Sequence, residues 1–140
     1  MKGNGFLAVL VVMMAILLSG CASLQRNNPG DDLPEVMIHG MELVNHGQAY
    51  VSAVRVLVPV TGQFVSCGNV APRGRCASGF PEQRYSGNAI EITWSEGGSI
   101  YSTGELRLEL PDTVIEAGAA VVWIHLTGPG SAAAVLVPVP

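Results

Sequence analysis

Met37, His39 and Met41 occupy alternate positions in Met37-Ile38-His39-Gly40-Met41. On a β-strand that spacing puts all three side chains on one face. Two thioethers and an imidazole make a ligand set suited to copper, Cu(I) above all. Read plainly, Met37 and Met41 are core side chains and His39 a satisfied neighbour; Gly40 and the Leu43-Val44 run after it favour that assignment. No metal is therefore assigned, and copper binding by this trio stands as the alternative. His46 follows shortly after, and His125, beside Trp123 in an apolar run, reads as structural.

A second chemistry lies in Gly68 to Gly87 (GNVAPRGRCASGFPEQRYSG), which holds Arg73, Arg75 and Arg84 with Phe80 and Tyr85. Arginine and aromatic residues are the types enriched at interaction hot spots. Long connections without periodicity are uncommon in compact domains and are often functional. In an acidic chain these arginines could meet an anionic group on a protein or a glycan. Arg73, Arg75, Phe80, Arg84 and Tyr85 are thus the expected partner-binding residues. The competing expectation is a pinned surface loop with Phe80 and Tyr85 tucked into the domain edge. No nucleophile elbow, zinc-protease, P-loop or dinucleotide motif occurs, and no pair of carboxylates stands out. The chain is expected to be non-catalytic.

The elements that must position these residues are strands. Ile90, Ile92 and Trp94 alternate with polar residues, Glu96-Gly97-Gly98-Ser99 turns the chain, and Leu106, Leu108 and Leu110 alternate again. That pattern describes a hairpin with one buried and one solvated face. Val54, Val56 and Val58 repeat the period of two, 119–127 is more fully apolar, and 132–138 ends in Pro138, as befits an edge strand. With 36–45 and 62–67 this makes about seven strands, and no stretch shows a helical apolar period. An all-β, immunoglobulin-like antiparallel sandwich is expected, with a small β-barrel as the alternative.

Composition sets the compartment. Of 140 residues 49% are hydrophobic, yet the net charge is −4 and Lys2 is the only lysine, which argues against nucleic acid. The apolar run Phe6 to Leu18 is about 13 residues, shorter than the ~20 needed to span a bilayer. With Met1-Lys2 before it and small residues after it, the run has the form of a signal peptide. Leu18-Ser19-Gly20-Cys21 resembles the lipobox of bacterial lipoproteins. The resemblance implies that 1–20 is removed and that Cys21 carries a diacylglycerol and an N-acyl chain. No other cofactor is implied. Ala22, rather than Asp, points by the same resemblance to the outer membrane of a Gram-negative bacterium, on its periplasmic face. Beyond the lipobox, the domain resembles small β-sandwich envelope lipoproteins only in general pattern.

Residues 21–34 read as the lipidated cysteine and a flexible tether, and 35–140 as one domain. With Cys21 acylated, Cys67 and Cys76 remain as a pair, and export makes a disulfide between them the expected state. Their short separation suggests that they staple a loop rather than bridge two sheets. The expected role is envelope binding or scaffolding through the 68–87 segment; a purely structural envelope protein is a further alternative.

Overall fold

The computed structural model describes residues 34–139, so the signal segment, Cys21 and the tether to residue 33 lie outside the described residues. Eight strands follow in order: β1 (Val36–Asn45), β2 (Val51–Val58), β3 (Gln63–Cys67), β4 (Arg75–Tyr85), β5 (Ala89–Glu96), β6 (Ser99–Arg107), β7 (Ala119–Gly128) and β8 (Ser131–Pro138). One short helix, α1 (Asp112–Ala117), precedes β7. The strands form a front sheet, β4-β1-β7-β8, and a back sheet, β3-β2-β5-β6. All pairings are antiparallel except β1 with β7. The expected sandwich is what forms, with open edges and one strand more than the sequence pattern counted.

The extra strand is β4. Gly79 and Pro81 interrupt its apolar pattern, which disguised it as a loop. An edge strand tolerates proline because one side of its backbone has no ladder to supply, and β4 is an edge of the front sheet. The 20-residue loop expected at 68–87 is therefore mostly strand. At the β5–β6 hairpin Gly97 and Gly98 have φ of +59° and +82°, the left-handed pair that a two-residue type I′ turn requires. The return strand consequently starts at Ser99, earlier than the Leu106–Leu110 alternation suggested. Pro111 opens α1, and Gly118 (φ +68°) closes it by donating to Ile115 and Val114 carbonyls.

Between the sheets lies one apolar core. Met41, Leu43, Val54, Val56, Ile92, Trp94, Ile124 and Leu126 are all buried there. Asn45, which with Glu96 is a buried polar residue among the described ones, ends β1. Its Nδ2 donates to the carbonyls of Ala49 (2.8 Å), Ala71 (3.1 Å) and Val70 (3.3 Å), and its Oδ1 accepts from Gly47 N–H (2.9 Å). A single amide thus joins β1, the β1–β2 turn and the chain passing from β3 to β4.

Cys67 and Cys76 are disulfide-bonded across nine positions. Cys67 ends β3 in the back sheet and Cys76 lies in β4 of the front sheet. The bridge therefore ties the two sheets together, contrary to the loop staple expected. Short sequence separation does not prevent this, because the chain crosses between the sheets within those residues.

Reducing the bridge, or replacing both cysteines by serine, should lower stability by roughly 2.7 kcal/mol on the loop-entropy estimate for about ten residues. A urea midpoint that does not move would contradict a formed bridge. Asn45→Ala removes the side-chain partner of the Ala49 carbonyl and the Gly47 N–H, while the Val70 and Ala71 carbonyls keep their bonds from Val51 and Gly74 N–H. It is expected to cost about 2–3 kcal/mol, measured by the same titration.

Candidate functional site

The residues expected to bind a partner separate in space. Tyr85 is buried, and its hydroxyl donates to Leu108 O (3.0 Å) and accepts from Leu108 N–H (2.8 Å). Burial pushes the phenol above its ordinary pKa of 10.0, against smaller opposing effects of the Leu108 bond and Arg107. Tyr85 is therefore a clasp between β4 and the segment after β6. Phe80 is half-buried and packs against the core. With Ile38, Val56, Ile90 and Val122 both aromatics line an apolar cavity of about 30 Å³, roughly the volume of one water molecule and too small for an organic ligand. These two aromatics behave as the tucked-in alternative described, not as contact residues.

The arginines do reach the surface. Arg75 and Arg84 are exposed on the outer side of the front sheet, 3.1 Å from Glu42 and 3.0 Å from Glu35. Pairing with carboxylates reduces their attraction for an anionic partner. Arg73 sits at the exposed tip of Ala71-Pro72-Arg73-Gly74, where Gly74 N–H bonds Ala71 O at 2.9 Å. Its φ is +58°, a conformation usually left to Gly or Asn in that turn position.

Nor does β1 assemble the methionine–histidine trio. The pairing register of β1 shifts between Ile38 and Gly40, and the bulge reverses the alternation. Met41 is buried in the core, whereas His39 is exposed. Gly40 is required at this bulge, since a Cβ there would lie 2.5 Å from Ser78 O. Met37, His39 and Met41 therefore do not share a face.

What gathers instead is the outer face of the front sheet. Val121, Trp123 and His125 of β7 project outward, flanked by Val44 and Glu42 of β1 and by Ala133, Val135 and Val137 of β8. Val135 is 50% exposed. The back sheet's outer side is mixed, carrying Arg55, Ser66, Glu91, Thr93, Ser95, Ser102 and Glu105 together with the exposed Phe64 and Ile100, which stand apart at its edge strands rather than forming a central field. There Ser102 bonds Glu91 at 2.6 Å, and the Arg55 guanidinium lies over the Phe64 ring. A strand that is apolar on both sides ordinarily has both sides covered. The unalternating composition of 119–127 and 132–138 already carried that signal. At the end of the same face His46 and His125 approach ring to ring, Nε2 to Nδ1 at 2.9 Å.

No family model matches the chain, and no curated protein matches it. Among solved structures it is similar to the NMR structure of a protein from Eubacterium rectale, at 12% identity and a TM-score of 0.43, covering 79% of this chain and 92% of that one.

Tyr85→Phe should cost about 1–3 kcal/mol, because it leaves the Leu108 N–H and carbonyl unpaired. The folded phenol also holds its proton more tightly than the unfolded one. Its contribution to stability is therefore complete below about pH 10 and fades as the pH rises beyond that. Alkaline unfolding profiles of the wild type and Tyr85→Phe should converge above pH 10; parallel profiles would refute this role.

Proposed function

We propose that this chain is a lipid-anchored envelope lipoprotein whose domain binds a partner rather than catalysing a reaction, and that the outer face of the front sheet makes the contact. The observation carrying this reading is the contrast between the two outer faces. The front face has an aliphatic field around Trp123, with the Arg75–Glu42 and Arg84–Glu35 pairs toward its β4 side. An apolar, aromatic centre with a charged rim is the anatomy of a protein–protein interface, so the partner is an envelope protein with a complementary apolar surface. An anionic glycan suits the face less well, since Arg75 and Arg84 are already paired. The lipobox resemblance at Leu18–Cys21 and the Cys67–Cys76 disulfide both suit an exported protein.

Anchoring then makes a weak contact effective. A tether of about 13 residues reaches at most about 45 Å and averages roughly 20 Å if flexible. That span confines the domain near the membrane and raises its effective concentration there.

Photocrosslinking in cells from position 135, with Thr93 on the back sheet as control, tests the surface. One adduct of discrete mass should form from position 135 alone and vanish when Val121→Asp is added. Equal background from both positions would refute the face. Cys21→Ala should remove the acyl mass and release the protein from membranes; retention on the membrane at unchanged mass would refute the anchor.

A further inference from the structure

We propose that His46 and His125 form a surface site for a divalent first-row transition ion, copper(II) ahead of nickel(II) and zinc(II). The site uses neither the Met37–Met41 segment nor the anchor, and it lies at one end of the front sheet's outer face. His46 Nε2 and His125 Nδ1 lie 2.9 Å apart, and the rings are near parallel at 26° with centroids 5.2 Å apart. Among the described residues, that mutual hydrogen bond is the side-chain bond each imidazole makes. Each neutral ring has one protonated nitrogen and one lone pair. One ring donates to the other across the 2.9 Å gap. An ion can take the place of that bridge when the donor ring carries its proton on its other nitrogen instead, leaving a lone pair on each facing nitrogen.

The short approach suits neighbouring positions on one ion, with the rings turning so that both lone pairs point at it. With metal–nitrogen bonds of about 2.0–2.1 Å, nitrogens 2.9 Å apart subtend about 90° at the metal. That is the angle between neighbouring positions in the tetragonal plane of Cu(II) or Ni(II), whereas tetrahedral zinc needs roughly 3.3 Å between its nitrogens. The order of intrinsic affinities also favours Cu(II) for imidazole. Two protein ligands leave the other positions to water, so the bound ion stays open to further ligands.

Both ligands are held before the ion arrives. His125 lies within β7, between Val44 of β1 and Ala133 of β8. His46 directly follows the four hydrogen bonds of Asn45, and its own N–H donates to Leu126 O at 2.8 Å. Fixed backbones reduce the ordering cost of binding. The strand neighbours of His125 are apolar, and the nearby arginine on β4, Arg75, is engaged by Glu42. The chain's net charge of −4 also favours a cation.

Trp123 supplies the readout, since its ring meets His125 edge-on with centroids 6.2 Å apart, where bound Cu(II) quenches its fluorescence. The full exported chain in detergent should be titrated with Cu(II) supplied as its glycine complex. One ion per chain is expected to bind at micromolar concentration, with quenching and an electron paramagnetic resonance spectrum showing two imidazole nitrogens. His46→Gln and His125→Gln should each weaken binding at least tenfold and remove one nitrogen, whereas His39→Gln should change nothing. Millimolar or absent binding in the wild type, or binding unaltered in the His46→Gln/His125→Gln double variant, would overturn the site. The wild-type spectrum decides independently of whether a variant folds: without imidazole nitrogens the proposal fails.

Discussion

The buried amide of Asn45 is the interaction on which one end of the sandwich depends. Three carbonyls from two separate stretches of chain converge on its Nδ2, and its Oδ1 takes the N–H of Gly47. A hydrophobic side chain of similar size would leave the Ala49 carbonyl and the Gly47 N–H without these partners, so the position favours an amide. Backbone bonds of Asn45 N to Gly74 O and of Val51 with Val70 close the same region. The Cys67–Cys76 bridge locks the crossing between sheets from its other side. His46 inherits its fixed position from this construction, being the next residue along.

The two outer faces share one scaffold and differ in chemistry. On the back sheet, serines, threonines and carboxylates face water over the central strands, with Phe64 and Ile100 exposed on the edge strands β3 and β6. On the front sheet, β7 carries Val121 and Trp123 outward as well as Val122 and Ile124 inward. The outward set lies outside the buried core formed by residues such as Val122 and Ile124. It runs from the central β1–β7 pair to the edge strand β8. The β4 edge adds charge to its rim through ion pairs that exposed geometry alone makes weak.

Much of this fold was legible in residue order. Alternation of Ile90, Ile92 and Trp94 and the Gly97-Gly98 pair marked the β5–β6 hairpin, because period two and left-handed glycines are local requirements. Pro138 marked β8 as an edge for the same kind of reason. Strand β4 was not legible: Gly79 faces the bulge at Gly40, a pairing between residues distant in sequence, and Pro81 falls in the stretch where the β1–β4 register shifts. The bulge also undid the Met37, His39 and Met41 alignment, since one inserted residue moves every later side chain to the opposite face.

By itself, residue order determined the all-β class, the turns and the presence of a pairable Cys67 and Cys76, all of which rest on contacts between near neighbours or on composition. Only the tertiary structure decided that the disulfide spans two sheets, that Tyr85 faces inward while Arg75 and Arg84 face out, and that His46 meets His125 across nearly 80 positions. Those outcomes depend on which strands become neighbours. That choice follows from burying the whole apolar set at once, including a parallel β1–β7 pair that no local pattern encodes.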